Sequence, residues 1–168
     1  MKASMTFRSV RKRTARLRAL LGADAEGGAL VEFALVAPVL LLLAMGIATA
    51  GVAMNNYLQL TNAVSVGART LASAGGITTD PCSTASSAVI SAAPGLTQSN
   101  FTFSYTLNGT SYSGTTCSSS STSTGAAGNL ATGTNATLTV TYPCNLTIFG
   151  VNYAPGCTLK GQATELVQ

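Results

Sequence analysis

The sequence of 168 residues contains no histidine and no tryptophan, and charged residues make up only 8% of it. The absence of histidine removes both the commonest general base and the commonest metal ligand of proteins. Ordinary soluble domains contain about 25% charged residues, so this low fraction argues against a free cytosolic globule. The length allows one modest domain, or two at most. Most enzyme classes are therefore disfavoured from the outset.

The net charge of +4 arises from one end of the chain. Residues 1–27 hold seven of the nine basic residues and two acidic ones, whereas residues 28–168 carry a net charge of −1. A nucleic-acid-binding face is expected to interleave cations with aromatic and hydrogen-bonding residues on a folded surface. Here the cations precede a long apolar run, so we expect no nucleic-acid partner. The pattern is typical of a cytoplasmic flank that orients a membrane segment.

The apolar run covers residues 33–54, FALVAPVLLLLAMGIATAGVAM, with Thr49 as its one polar side chain. A helix of this length measures about 33 Å and can cross a hydrocarbon core of about 30 Å. The positive-inside rule then places the N-terminus in the cytoplasm and the chain after residue 55 outside. A secretory signal cleaved near Ala50 is the competing interpretation, but signal-peptide apolar regions measure only about 7–15 residues. We therefore expect a single-pass membrane protein.

Three residues near or within the span have candidate roles. Glu32 lies between apolar residues at the membrane edge, where a carboxylate is costly and suggests a functional site. The alternative is that Glu32 lies among the headgroups, or in the first helical turn, where it favours the helix dipole. Gly46 and Ala50 form a small-xxx-small pair, which lets a second helix approach closely, although chance often produces this pattern.

A basic leader, a glycine, and a glutamate followed by an aromatic residue at the start of an apolar helix resemble a type IV prepilin. Cleavage after Gly27 would make Gly28 the first residue and Glu32 the fifth, which is the family's spacing. Cleavage after Gly28 would put Glu32 fourth and fits less well. The resemblance implies that a prepilin peptidase removes residues 1–27. It also implies that Glu32, next to Phe33, pairs with the freed amino terminus of a subunit, so that two costly charges compensate each other.

More narrowly, residues 26–74 resemble the TadE-like pseudopilins of the tight-adherence (Flp) pilus system. In that family an apolar helix with an early proline continues into a segment of the kind Tyr-x-x-Leu-x-Asn-Ala-x-x-x-Gly-Ala-Arg. The residues at those positions are Tyr57, Leu60, Asn62, Ala63, Gly67, Ala68 and Arg69. The resemblance implies a minor pilin or pseudopilin-like structural component in the bacterial inner membrane. Its partners would be the prepilin peptidase, other pilins and pseudopilins, and the inner-membrane pilus assembly platform.

The sequence predicts an α+β protein with four segments: a leader 1–27, a transmembrane helix 28–54, an amphipathic helix 55–75 and an extracytoplasmic β-rich domain 76–168. In the second helix, apolar residues recur at three- and four-residue intervals and predict one buried stripe. The stripe consists of Tyr57, Leu60, Val64, Ala68 and Leu71. We expect Gly75-Gly76 to end that helix.

The outer region shows one helical and several strand signals. Residues 83–93 predict a short helix, and residues 101–107 alternate at period two before Asn108-Gly109, a strong hairpin signal. Residues 138–142 predict another strand, residues 148–151 a short one, and residues 158–167 an edge strand. The Ser/Thr-rich and Gly-rich run 118–128 is of low complexity and predicts a mobile loop.

All four cysteines lie beyond the span, in the compartment that the charge rule makes extracytoplasmic. An even number there favours two disulfides, for which three connectivities exist. We favour Cys82–Cys117 with Cys144–Cys157, since the latter closes a short loop. Without a CxxC pair or a histidine, zinc and thiol redox chemistry fit poorly, so we expect no metal and no cofactor.

Catalysis also lacks candidate residues. A serine nucleophile needs a base, and the outer region offers only Lys160 and two isolated carboxylates, Asp80 and Glu165. We therefore expect no enzyme. The alternative to a pilus component is an uncleaved, signal-anchored domain that binds a surface ligand, and the two differ in the N-terminus of the mature chain.

Overall fold

The structure, a computed structural model, describes residues 25–144 and 146–168, and for residues 25–27 only the backbone. The predicted leader therefore lies almost wholly outside the described residues. The chain divides into two compact units, Met1–Ala44 and Met45–Gln168. Its elements in chain order are α1 (Ala25–Ser73), α2 (Pro81–Ala92), a 3-10 turn (Gln98–Asn100), β1 (Thr102–Leu107), β2 (Thr110–Ser113), α3 (Gly125–Gly128), β3 (Asn135–Pro143), β4 (Thr147–Ile148), β5 (Val151–Asn152) and β6 (Thr158–Leu166). The α+β class with a long N-terminal helix is thus confirmed.

The helix α1 contains 49 residues without interruption. It includes both the predicted apolar span and the predicted amphipathic segment. Pro38 lies inside it, where the missing N–H removes one backbone hydrogen bond. After the helix ends at Ser73, Gly76 adopts a φ of +70°, a left-handed conformation that favours glycine and commonly follows a helix.

The C-terminal part of α1 buries one stripe of side chains, as its periodicity predicts. The buried residues are Leu60, Ala63, Val64, Gly67, Ala68 and Leu71. Tyr57 was predicted to belong to this stripe but remains 39% exposed. The reason is that packing against the domain begins nearly one helical turn later, at Leu60.

Four antiparallel strands form the main sheet in the order β2-β1-β3-β6. The hairpin between β1 and β2 turns at Asn108 and Gly109, whose φ angles are +47° and +80°. Positive φ at both positions is what a two-residue hairpin of the favoured twist requires. The prediction of β6 as an edge strand is also confirmed, because it pairs with β3 alone.

The segment around Phe149 differs from its prediction. Instead of one strand over residues 148–151, β4 and β5 pair with each other in a separate two-stranded sheet. Phe149 and Gly150 have φ angles of +50° and +80° and form the turn. Two consecutive left-handed residues reverse the chain, so a single strand cannot run through them.

The two short helices also depart in detail from the predictions. The helix α2 begins at Pro81, two residues earlier than predicted, because Asp80 caps it and proline loses nothing at the first helical position. The helix α3 falls inside the run predicted as a mobile loop and buries Ala126 and Ala127. Mobility of the rest of that run stays a prediction.

The hydrophobic core lies between the C-terminal part of α1, α2 and one face of the main sheet. Alternate residues of β1 and β3 enter it, as the period of a strand requires. These residues are Phe103, Tyr105, Leu107, Ala136, Leu138, Val140 and Tyr142. The hydroxyl of the fully buried Tyr105 donates a hydrogen bond of 3.1 Å to the Cys82 carbonyl, which satisfies its one polar atom.

Gly67 is the point of closest approach between α1 and the rest of the core. A Cβ atom there would lie 2.9 Å from Leu138 Cδ2 and 3.3 Å from the Ala85 carbonyl oxygen, and would also overlap Val89 Cγ2. These atoms belong to α2 and β3, so both elements pack on α1 at one residue. The glycine of the family-like motif therefore has a packing role in this chain.

The edge strand β6 runs along α1 in the same direction as the helix. Near its start, a Cβ atom at Gly161 would lie 3.0 Å from Val64 Cγ2 and 3.5 Å from Leu60 Cγ. Just beyond its end, the Gln168 N–H donates to the Ala72 carbonyl at 3.3 Å. The sheet therefore has one end beside Leu60 and the other beside Ala72.

Both favoured disulfides are present. Cys82–Cys117 joins the start of α2 to the segment after β2, and Cys144–Cys157 closes the loop that carries β4 and β5. Their Cα atoms lie 5.4 Å and 5.3 Å apart, ordinary separations for a disulfide. Because crosslinks limit the freedom of the unfolded chain, they stabilise a domain whose core is small.

We expect Gly67→Ala to lower the free energy of unfolding by about 1–3 kcal/mol, since the added methyl group overpacks the core. The matched control is Gly51→Ala on the same helix, where a Cβ atom meets nothing within 4 Å. Urea unfolding of the full chain in detergent micelles, followed by circular dichroism, measures the difference. A Gly67→Ala variant as stable as Gly51→Ala would contradict the close contact.

Candidate assembly segment on the N-terminal helix

The first half of α1 presents apolar side chains that pack on nothing in the described chain. We call residues 28–54 the candidate assembly segment. Its large side chains are exposed, including Leu30 at 70%, Phe33 at 67% and Ile47 at 74%. Among the described residues, α1 is the one helix that is long and apolar enough to cross a membrane, and this segment is its most apolar part. None of its most apolar stretch is buried. Such a surface is costly in water, so a lipid or helical partner must cover it.

Glu32 lies in the second helical turn of this segment with its side chain exposed. Among the described residues, the one ion pair is Arg69–Glu165, so Glu32 has no charged partner there. Gly28 lies one helical turn before it, on the same side of α1. The structure thus puts the candidate processing residue and the candidate assembly residue together, whereas the backbone alone is described at Gly27.

The small-residue pair lies farther along the segment. A Cβ atom at Gly46 would meet nothing within 4 Å, and Ala50 is exposed, so this side of α1 is open to a second helix. The intervening polar side chain, Thr49, donates to the carbonyls of Met45 and Gly46 at 3.1 and 3.0 Å. Because its hydroxyl is satisfied within the helix, Thr49 is compatible with lipid.

The sequence indicates no specific partner for Arg69, but the structure shows one. Arg69 Nε lies 3.9 Å from Glu165 Oε1, and their side chains are 78% and 38% exposed. The pair lines a groove of about 380 Å³ between α1 and β6, with Thr70, Ser73 and Leu166. An exposed pair at this distance contributes little stability. No sequence pattern links the two residues, because the contact depends on how β6 packs along α1.

Asp80 has a structural task that sequence reasoning missed, although the pattern Asp-Pro before a helix was available as a capping signal. Its Oδ1 accepts from the backbone N–H groups of Ser83 and Cys117, both at 2.9 Å. Its Oδ2 accepts from the Ser118 hydroxyl at 2.9 Å. Burial acts to raise the pKa of Asp80, but these hydrogen bonds to the charged form outweigh it and lower the pKa below the ordinary 3.8.

Neither metal binding nor a carboxylate pair fits this region. Asp80, Cys82 and Cys117 are close enough to surround an ion, but both sulfurs belong to one disulfide and are not thiolates. Asp80 and Glu165, the two acids of the outer region, have different partners, namely α2 and Arg69. Asp80 and Glu165 are therefore not a carboxylate pair.

A long exposed apolar helix joined to a small, disulfide-linked α+β domain is typical of a protein anchored in a membrane by one helix. Within this class, the family model of TadE-like proteins matches residues 27–69. Residues 27–69 are therefore TadE-like, as the resemblance predicted. This match supports the interpretation of the protein as a component associated with the tight-adherence pilus. No curated protein sequence and no solved structure matches the chain significantly. The match ends at Arg69 and does not extend into the disulfide-linked domain.

We expect the stability of the domain to fall as the pH drops below about 4, because the lowered pKa of Asp80 gives a stabilising charge that protonation removes. Stability from this group is complete above the ordinary pKa of 3.8 and is lost as the pH falls through the lowered value. Asp80→Asn should be less stable at neutral pH and lose less on acidification. Urea midpoints of the full chain in detergent at about pH 6 and pH 2.5 measure this.

The matched control is Glu165→Gln, which removes an exposed carboxylate from the same domain. We expect it to retain most of the acid sensitivity of the unmodified chain. If Asp80→Asn and Glu165→Gln behave alike at both pH values, the hydrogen bonds of Asp80 do not stabilise the fold.

Proposed function

We propose that this protein is a minor pilin or pseudopilin-like structural component that supports assembly of a tight-adherence pilus. The observation that carries the proposal is the candidate assembly segment, which is exposed, apolar and wholly inside the TadE-like match. The role is structural and requires no catalytic group. The disulfide-linked domain adds bulk that the short major pilins of such a system lack, which favours a minor role.

Processing and orientation follow from the leader in this proposal. The basic residues of 1–27 keep the N-terminus in the cytoplasm, and residues after about 55 reach the extracytoplasmic side of the inner membrane. A prepilin peptidase cuts between Gly27 and Gly28. Loss of the leader changes the side-chain charge of the chain from +4 to −1 and leaves an ammonium group at Gly28.

The partner of Glu32 is then limited by distance. The first basic side chain after it is Arg69, 37 residues farther along the sequence, or about 55 Å along a helix. No side chain of the mature protein can therefore neutralise Glu32 at the membrane edge. The amino terminus of a neighbouring subunit can neutralise Glu32. Because four helical residues separate Gly28 from Glu32, this pairing would shift one helix by about 6 Å along its axis relative to the other.

Helix packing completes the assembly in this proposal. Gly46 and Ala50 lie one helical turn apart on one side of α1, and neither carries a side chain that would hold a neighbouring helix away. Because Thr49 already bonds within its own helix, it places no demand on that neighbour. The partners are other pilins and pseudopilins at the inner-membrane assembly platform.

We expect the mature protein to begin at Gly28. Intact-mass measurement of the protein from membranes of a strain with a tight-adherence system checks this, and a strain lacking the prepilin peptidase is the control. A chain that keeps Met1 would instead support the signal-anchored surface-binding domain. A chain that begins near Gly51 would show cleavage by signal peptidase and would exclude both.

We expect Glu32→Ala to insert in the membrane normally but to lower pilus assembly by about tenfold or more, because each 1.4 kcal/mol of lost pairing is a factor of ten. Membrane fractionation and the yield of sheared pili in a complemented deletion strain measure the two effects. Glu165→Ala, which removes a carboxylate outside the assembly segment, should leave both unchanged. Wild-type pilus yield with Glu32→Ala would contradict the pairing.

A further inference from the structure

The loop closed by Cys144–Cys157 extends from one end of the main sheet. This end lies beside Leu60, where the buried part of α1 begins. The β3–β6 ladder ends at the pair Pro143 and Thr158, from which this loop continues. Gly161, near that end, packs on Leu60 and Val64. A Cβ atom at Gly95 would likewise lie 3.3 Å from the Gln59 side-chain carbon, so a second loop reaches the same level of the helix.

The contacts between β6 and α1 show at which level of the helix the loop leaves the sheet. An advance of seven residues, from Gly161 to Gln168, runs beside about ten residues of α1, from the Leu60–Val64 level to Ala72. Continuing backwards at this ratio, Thr158 stands about level with residue 58. The predicted apolar span ends at Met54, about four residues before this level, so the loop leaves the sheet at the end that lies nearest the span.

The chemistry of this loop differs from that of the remaining domain surface. Residues 144–157 include no charged residue. Three large apolar or aromatic side chains on it are exposed: Phe149 at 69%, Val151 at 55% and Tyr153 at 67%. The β4–β5 pairing and the disulfide hold these side chains on a short, closed hairpin. A structured hairpin with this surface is unfavourable in water and suits the boundary of a bilayer, where aromatic side chains are enriched.

The nearest charge along the sequence supports a lipid partner. Lys160, which is exposed, follows the loop by three residues and is the one basic residue of the domain apart from Arg69. Arg69 and Glu165 pair nearer the opposite end of β6. Lys160 is therefore the one charged residue near the loop end of the sheet in the sequence. A single cation there favours binding to anionic lipid headgroups.

We propose that the β4–β5 hairpin enters the headgroup region of the bilayer from which α1 emerges, and is a second membrane contact of the protein. This inference rests on the membrane anchoring in the proposed function. Phe149 and Tyr153 enter the interface, and Lys160 binds anionic headgroups above it. With two contacts, the domain is held in one orientation relative to the membrane rather than swinging about α1.

The absence of tryptophan from the chain makes a direct test possible, since one introduced indole gives an isolated fluorescence signal. The test uses the full chain in vesicles of phosphatidylcholine and phosphatidylglycerol, with phosphatidylcholine brominated in the upper acyl chain as quencher. Three single variants are compared. Tyr153→Trp reports on the hairpin, Ser111→Trp on the exposed strand beside the opposite end of the sheet, and Phe33→Trp on the predicted span.

We expect brominated lipid to quench Tyr153→Trp roughly twofold or more relative to unbrominated lipid, and to leave Ser111→Trp unquenched. Adding Lys160→Ala to Tyr153→Trp should reduce the quenching more in vesicles with phosphatidylglycerol than in those without it. Quenching of Phe33→Trp but not of Tyr153→Trp would overturn the hairpin contact and leave the anchoring intact. Lack of quenching at all three positions would overturn the anchoring itself.

A second copy of the chain is the rival occupant of the hairpin. In that case Tyr153→Trp emission would shift to shorter wavelength as the protein-to-lipid ratio rises, with no quenching by brominated lipid. That result would overturn the lipid contact. Quenching that is independent of the protein-to-lipid ratio supports it.

Discussion

The packing of α1 against the sheet at Gly67 is the contact on which the rest of the structure depends. At this residue α2 and β3 both approach α1 so closely that a methyl group does not fit. The stripe from Leu60 to Leu71 is buried around it and packs with large side chains of the sheet, such as Tyr105 and Leu138. A small domain buries only a modest apolar area, so loss of complementarity at one central point affects the whole fold.

One helix carries the buried stripe and the candidate assembly segment, and no loop separates them. In the proposed function, the amino group that pairs with Glu32 fixes the axial position of the neighbouring helix. The attached domain then takes its position from the same register. In this proposal, Glu32, which makes the charge pair, and Gly67, which makes the glycine contact, belong to the same helix.

Crosslinks and capping stabilise the parts of the domain that the core does not reach. Asp80 ties the start of α2 to Cys117, beside the disulfide that joins Cys82 to the same residue. The second disulfide closes the exposed hairpin, which buries little apolar surface of its own. An exposed apolar hairpin that is held rigid has already lost much of its conformational freedom, so binding to an interface costs it less.

Local signals along the chain were sufficient for several features of this protein. The apolar run with its basic flank, the stripe from Leu60, the turn at Asn108-Gly109 and the even number of cysteines beyond the span each depend on neighbouring residues or on composition. The resemblance over residues 26–74 likewise depends on short spacings, and the TadE-like match covers residues 27–69 of that segment. For this reason the long helix, the α+β class and the favoured disulfides agree with the structure.

Features that depend on distant residues were decided by the tertiary structure alone. The reversal at Phe149 was read as a strand because its left-handed turn lacks the usual Asn-Gly signal. Arg69 meets Glu165, and Asp80 meets Cys117, only because β6 and the segment after β2 fold back onto the helices. The direction of β6 along α1, which puts the Cys144–Cys157 loop at the end of the sheet nearest the predicted span, has no local sequence signal. Local sequence patterns indicated the long helix, the apolar span and the favoured disulfides, because each depends on neighbouring residues or on composition. Packing between distant segments determined where the charged and aromatic side chains meet.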